Sequence, residues 1–362
     1  MTGNNSIEYR GQAAPLAKLL FVNILLNMLT LGFYRFWGKT RLRDFIWRHL
    51  RFQDEDFEYS GTGKELFIGF LIALLVLVPL VLLFNGLNAW LITTAPIWQG
   101  SLGILQTILF LFLFQFAFYR VRRYRMSRTQ WRGIRAGQDG AATHYALLAM
   151  GYLLLTIVTL GLAYPWMQTA LERYQISNTQ FGNRAFAFTG AGKELFKEWL
   201  LAWFLTPFTL GLSQLWYRAV SIRYFSSHTH YEGLSFESDL RARNIAWLYL
   251  KYAAVTFGIM GIVGIIVSLT LPLSDLAKLE SLPESLEALP VGGILTAVFA
   301  VIAFYIASNI LGTLFLTQGW IALFCRNLTI SGDVDWDEIQ QSALLAPTRG
   351  EGFADALDVG GL

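Results

Sequence analysis

Long, uninterrupted apolar runs dominate the pattern of this chain. Leu66–Phe84, Gly103–Tyr119, Ala253–Leu273 and Val291–Cys325 contain no Asp, Glu, Lys or Arg. A run of about 18 or more apolar residues is long enough to cross a bilayer as a helix. A shorter apolar stretch, Leu16 to Leu29, predicts a further helix. Between the apolar segments, apolar or aromatic residues alternate with others and stop at Gly. The stretches are Ile7-Glu8-Tyr9-Arg10-Gly11, Phe57–Gly61 and Phe186–Gly190. Such alternation predicts short half-buried strands.

These elements recur at fixed spacing, and a repeat of this length outranks any single motif. The tripeptide Thr-Leu-Gly stands at Thr30-Leu31-Gly32, Thr159-Leu160-Gly161 and Thr209-Leu210-Gly211. Nineteen residues before each Thr lies Gly11, Gly140 or Gly190, and seven after it lies Trp37, Trp166 or Trp216. An aromatic follows fifteen residues after each Trp (Phe52, Phe181, Tyr231), and a Phe twenty after it (Phe57, Phe186, Phe236). Gly61-Thr62-Gly63-Lys64-Glu65-Leu66-Phe67 is nearly repeated as Gly190-Ala191-Gly192-Lys193-Glu194-Leu195-Phe196. Each unit therefore reads as a Gly, a helix, a break, a second helix, a hairpin and a new Gly. The Gly of the break suits a helix stop and a turn, and each Trp suits the membrane–water interface.

Five units follow: 11–61, 61–140, 140–190, 190–240 and 240–332. Residues 1–332 form one integral membrane domain. The expected class is an all-α polytopic membrane protein of tandem helical-hairpin repeats with short cytoplasmic β-hairpins. Residues 333–362 begin with Asp333, Asp335, Asp337 and Glu338 and continue rich in Gly, Ala and Asp. They read as an acidic, disordered tail.

Composition agrees, with 54% hydrophobic residues and a mean hydropathy of +0.45 excluding an ordinary soluble protein. A single cysteine, Cys325, excludes an intrachain disulfide framework and a Cys-rich metal site. The first residues have no basic segment before an apolar core, so no signal peptide is expected. Charge sets orientation. Residues 35–64 and 120–135 carry seven Lys or Arg each, the loop at 93–100 carries none, and the loop at 274–290 sets Lys278 against four acids. By the positive-inside rule the hairpins and both termini are cytoplasmic. Arg35, Lys39, Arg41 and Arg43 in the first unit are expected to snorkel at the interface.

Apolar helix, Thr-Leu-Gly, Trp, basic helix and Phe-Glu-Tyr-Ser-Gly together resemble the YjgN family of bacterial inner-membrane proteins. Asn27–Gly61, Arg123–Gly140 and Val158–Gly190 carry the resemblance. It implies location in the inner membrane of a Gram-negative bacterium and supplies no biochemical function. The chain departs from the pattern at Phe33–Trp37, which lacks the Pro seen in Tyr164-Pro165-Trp166.

Candidate chemistry is sparse. The Gly-x-Gly-Lys stretches lack the preceding Gly and following Ser or Thr of a phosphate cradle, and Glu65 and Glu194 suit helix N-termini instead. His228 and His230 lack a third ligand. Ser127, Ser177 and Ser227 have no His or Asp at constant spacing, so backbone bonding is expected of them. No catalytic residue, metal or cofactor is expected, and the protein is not expected to be an enzyme. Asn23, Asn27, Gln106, Gln115, Asn309 and Gln318 in apolar segments read as interhelical contacts. Arg123, Arg173 and Arg223 recur at the ends of second helices. With Arg120, Arg122, Arg125, Arg128, Arg132 and Arg135, they are the candidate binders of anionic lipid headgroups. The expected function is binding or moving a lipid or small amphipathic molecule. The alternative is a scaffold whose hairpins dock a protein partner. Nucleic acid is not an expected partner.

Overall fold

The computed structural model describes residues 6–270 and 291–342. The acidic loop at 274–290 and the tail from residue 343 lie outside the described residues.

Five helix pairs alternate with strands among the described residues. Strand β1 (Ile7–Tyr9) leads into α1 (Ala13–Leu29) and α2 (Arg35–Trp47). Strands β2 (Leu50–Phe52), β3 (Glu55–Asp56) and β4 (Glu58–Tyr59) lead into α3 (Gly63–Thr94) and α4 (Gln99–Arg128). Next come β5 (Thr129–Trp131), β6 (Ile134–Gln138), α5 (Ala142–Val158) and α6 (Tyr164–Ser177). Strands β7 (Thr179–Phe181) and β8 (Arg184–Phe188) precede α7 (Gly192–Leu205) and α8 (Leu212–Ser227). The last pair follows β9 (Thr229–Tyr231) and β10 (Leu234–Ser238). It comprises α9 (Ala242–Thr270) and α10 (Val291–Leu311), continued by a π-helical turn and α11 (Gly319–Arg326) into β11 (Leu328–Ser331).

Four helical stretches are long and apolar enough to cross a membrane: Gly63–Thr94, Pro96–Arg128, Ala242–Leu269 and Gly292–Arg326. The protein is a multi-span membrane protein. The remaining pairs are shorter. At a rise of about 1.5 Å per residue, α5 is roughly 25 Å long, less than the ~30 Å hydrocarbon thickness.

The β content corrects the expectation of separate short hairpins. The closing strand of each unit pairs antiparallel with the opening strand of the next: Tyr59 with Thr129, Gln138 with Thr179, Phe188 with Thr229 and Ser238 with Leu328. Eight strands, β4 to β11, form one open sheet in chain order, and β1–β2–β3 form a second. Only Phe57 separates β3 from β4. The reason is physical. An isolated hairpin leaves two rows of unpaired N–H and C=O groups, and the next hairpin satisfies one of them.

Because every pair begins and ends at this β layer, all the helices leave from it. Neighbouring pairs pack in order, α2 on α3, α4 on α5, α6 on α7 and α8 on α9, and α1 meets α10.

The Thr-Leu-Gly break is one motif built three times. Leu31, Leu160 and Leu210 have φ near +50°, and Gly32, Gly161 and Gly211 have φ of 94°, 93° and 85°. Each Gly N–H returns to a carbonyl five residues back, at Asn27, Thr156 and Thr206. Each Thr hydroxyl donates to the carbonyl four residues back (2.7–2.8 Å) and accepts from the N–H four residues on (2.9–3.2 Å). One side chain thus ends one helix and begins the next. The Leu at each tip is 90%, 78% and 95% exposed, an apolar point suited to lipid.

Two further corrections concern charge. Arg43 does not snorkel. It is fully buried and donates to Tyr59 Oη at 3.2 Å. The acidic tail does not start as a solvated segment either. Val334, Trp336 and Ile339 pack on the sheet, and Gln341 accepts from the Arg135 N–H at 2.7 Å.

Thr159→Val should lower thermal stability by about 1 kcal/mol, the worth of one helix cap, in a melting curve of the purified protein. Ser177→Ala, outside the motif, should leave the melting curve unchanged.

Candidate functional site

The recurrent aromatics of the two sheets pack into one cluster. Phe52, Trp131, Tyr231, Leu234, Ile330 and Ile339 form its buried core, with Phe57, Phe181, Phe186, Phe236 and Trp336 packed against it. The ladder fixes this arrangement, since Phe186 lies opposite Tyr231 and Phe236 opposite Ile330. Trp131 Nε1 donates to the Phe52 carbonyl at 3.3 Å, and Tyr231 Oη donates to the Phe181 carbonyl at 3.0 Å. A buried aromatic with a polar atom needs such a partner. Trp336 then reaches four units at once. Its ring centroid lies 5.7 Å from Phe52, 4.9 Å from Trp131, 6.5 Å from Phe181 and 6.3 Å from Tyr231.

The aromatics do not fill the space between the sheet and the helix ends. A chamber of about 430 Å³ remains there, walled by the sheet aromatics, Trp336 and the ends of α4 and α6. Its charged lining residues are Arg122 and Glu172. Arg122 Nη1 donates to Gln175 Oε1, and Gln175 Nε2 donates to Tyr145 Oη at 2.7 Å. Glu172 also borders a smaller cavity of about 370 Å³ beside Phe225 and Phe324. Burial pushes the Glu172 carboxyl above the usual carboxylate range, and the smaller pull of Arg122 works against that shift. The chamber can hold an apolar chain and offers one guanidinium and one carboxyl at its helix side.

Of the nine candidate headgroup arginines, Arg122 lines the chamber and the other eight do not. Arg128 is largely buried and paired with Glu65 at 2.9 Å. Arg173 donates to the Gly190 carbonyl at 2.6 Å. Arg120, Arg123 and Arg125 each have an interaction within the protein. Arg223 is exposed, with no ion pair among the described residues. Glu172 was missed in the sequence because neither of the other Thr-Leu-Gly units carries a carboxylate at its position.

The remaining motifs are structural. Thr62 caps α3 by accepting from the Glu65 N–H at 3.4 Å, and Glu65 and Glu194 accept from Tyr124 and Tyr224 at 3.0 and 2.6 Å. A Cβ on Gly63 would lie 2.7 Å from the Trp37 ring, and one on Gly192 would lie 2.7 Å from Trp166 Cα. The Gly-x-Gly-Lys stretch is thus where one helix pair touches the Trp of the preceding pair. Ser127 and Ser227 donate to the carbonyls of Tyr124 and Tyr224. His228 lies 3.4 Å from Glu194, whereas His230 lies 3.5 Å from Thr189. Among the described residues no group of three potential ligands could hold a metal.

Residues 4–215 match the family described as "Bacterial protein of unknown function (DUF898)". The chain belongs to this family. It is also similar to the inner membrane protein YjgN of Salmonella typhimurium, with 30% identity over 84 residues. That match covers 23% of this chain and 21% of the relative. No solved structure matches the chain.

Two predictions follow from this geometry. Trp336→Ala should cost about 2–4 kcal/mol, because a large ring shared by four units leaves a void. Melting curves read it directly. Glu172→Gln should raise the melting temperature at neutral pH. The carboxyl binds its proton more tightly in the folded state, so stability is lost as pH rises from the ordinary carboxylate value through the folded-state one, and the loss is complete above it. The gain should therefore shrink as pH falls through the folded-state value and be gone below about 4, the ordinary carboxylate value.

Proposed function

We propose that the protein binds the apolar part of a lipid or other small amphipathic molecule in the chamber beneath the sheet. The observation that carries this reading is the unfilled chamber of about 430 Å³, walled by aromatics and bordered by Arg122 and Glu172. Small-molecule sites are typically apolar spaces of about 300–1,000 Å³ with a few placed polar groups. The role is binding or transfer, not catalysis. The excess of Lys and Arg near the sheet supports placing the sheet and both termini in the cytoplasm. The similarity to an inner-membrane protein supports the inner membrane as the location.

The scaffold reading has less support. No large apolar side chain of the strands is among the exposed ones in the described residues, so the sheet offers no apolar docking patch.

The test is titration of the detergent-purified protein with a fluorescent dansyl-undecanoate. Saturable binding is expected. Ala136→Trp, which places a ring into the chamber, should weaken binding by about tenfold or more through excluded volume. A folded Ala136→Trp protein that binds the probe as tightly as the parent would overturn the reading.

A further inference from the structure

The chamber beneath the sheet adjoins the smaller cavity of about 370 Å³, and four residues wall both: Glu172, Phe186, Thr229 and Phe236. Phe186 and Phe236 are apolar, and the Thr229 hydroxyl is already spent on the Phe225 carbonyl at 2.7 Å. Glu172 is the one charged residue at the junction. Helix α6 places it there. Residues four apart share one helix face, and Ile176, one turn on, also lines the chamber.

A carboxyl in an apolar wall needs a partner, and unpaired charge inside a fold is costly. Neither Glu172 oxygen makes a hydrogen bond or an ion pair among the described residues, and both keep accessible surface. Arg122 faces Glu172 from α4 but is turned to another use. Its Nη1 donates to Gln175 Oε1, and Gln175 in turn holds Tyr145. Its Nη2 keeps accessible surface and has no hydrogen-bond partner among the described residues. Guanidinium and carboxyl thus both line the chamber without forming an ion pair with each other. The other ionisable groups facing Glu172 are Tyr145 on α5 and Tyr231 on β9. Burial pushes both phenols up, so neither ionises near neutral pH. Helices α8 and α11 and strand β11 bring Ile222, Phe225, Ser226, Phe324 and Leu328, none of them ionisable.

We propose that the chamber selects an amphipathic molecule with a carboxylate head, held between Arg122 and Glu172. This rests on the reading of the chamber as a site for an amphipathic molecule and names the head that the site takes. One carboxylate oxygen accepts from Arg122 Nη2, and the other accepts from the protonated carboxyl of Glu172. One anion then meets one cation, and no charge is left unpaired in the apolar wall. Where Glu172 is ionised in the empty protein, binding takes up one proton from solvent. An ammonium head would meet Glu172 but oppose Arg122. A phosphate monoester would bring nearly two charges to a single cation.

The test uses the full chain in maltoside micelles and three fluorescent probes of one chain length: dansyl-undecanoate, the corresponding alcohol and the corresponding amine. At the pH of tightest binding the carboxylate should bind about tenfold or more tightly than the alcohol, the worth of a charge-assisted hydrogen bond. Its affinity should fall as pH rises through the folded-state value of Glu172, by up to about tenfold per pH unit, the limit for one proton. Glu172→Gln should keep the preference for the carboxylate and lose that fall, because an amide N–H donates at every pH. Arg122→Gln should remove the preference. Arg48→Gln, which breaks an exposed ion pair with Asp44 on α2, should leave both intact. Should Arg122→Gln fail to fold, the ranking of the three probes on the parent protein decides. No binding of any probe would sink the chamber reading and this proposal with it. Equal binding of carboxylate and alcohol would leave the chamber a site for apolar chains and overturn the carboxylate head. Tightest binding of the amine would overturn it as well, making Glu172 the counter-ion of a cation. A fall with pH that persists in Glu172→Gln would overturn the role given to Glu172.

Discussion

Backbone hydrogen bonding between successive hairpins is the constraint on which the rest of the structure depends. A strand of three residues such as Thr179–Phe181 cannot stand alone, and a two-stranded hairpin is marginal in water. Pairing Ala136 with Phe181 and Phe186 with Tyr231 turns marginal hairpins into a continuous ladder. The ladder fixes which side chains share a face, because a slip of one residue would send Phe186 and Tyr231 to the other side. It also fixes where each helix pair begins and ends. Short helix pairs that could not hold a position in a bilayer alone are thereby held beside long ones that span it.

Much of this was legible in the residues. The four long apolar runs became the four helical stretches of spanning length, and each Thr-Leu-Gly became a helix stop. Those signals are local, and local physics governs them. The joining of the hairpins was not legible, because Tyr59 and Thr129 are far apart in sequence and strands of two or three residues carry no measurable period. The aromatics at Phe52, Phe181 and Tyr231 were visible as a recurrence, but their convergence on Trp336 was hidden by the acids around it. Charge at Asp333, Asp335, Asp337 and Glu338 reads as a solvated tail, while Val334 and Trp336 between them and Ile339 after them pack on the sheet. Arg173 ties the end of α6 to the next unit at the Gly190 carbonyl, and Arg128 pairs with Glu65 across the two ends of its own helix pair.

The chamber beneath the sheet is lined almost wholly by apolar groups, with Arg122 and Glu172 as its charged residues. A buried carboxyl in an apolar wall departs from local expectation, and such departures concentrate at functional sites. Glu172, unremarkable singly, gains its meaning from the topology that sets the end of α6 against the sheet aromatics.

The central claim is that one β layer, on a single side of the membrane, joins the ends of every helix pair. Single cysteines in a Cys325→Ser background test it most directly, placed at the turns Asp54, Arg132, Asn183 and Glu232, at Ile97 between α3 and α4, and at the tip residue Leu160. An impermeant thiol reagent applied to sealed right-side-out and inverted vesicles should label all four turns from the same side. It should label Ile97 from the opposite side and Leu160 from neither. Labelling of successive turns from opposite sides would contradict a shared sheet and the account built on it.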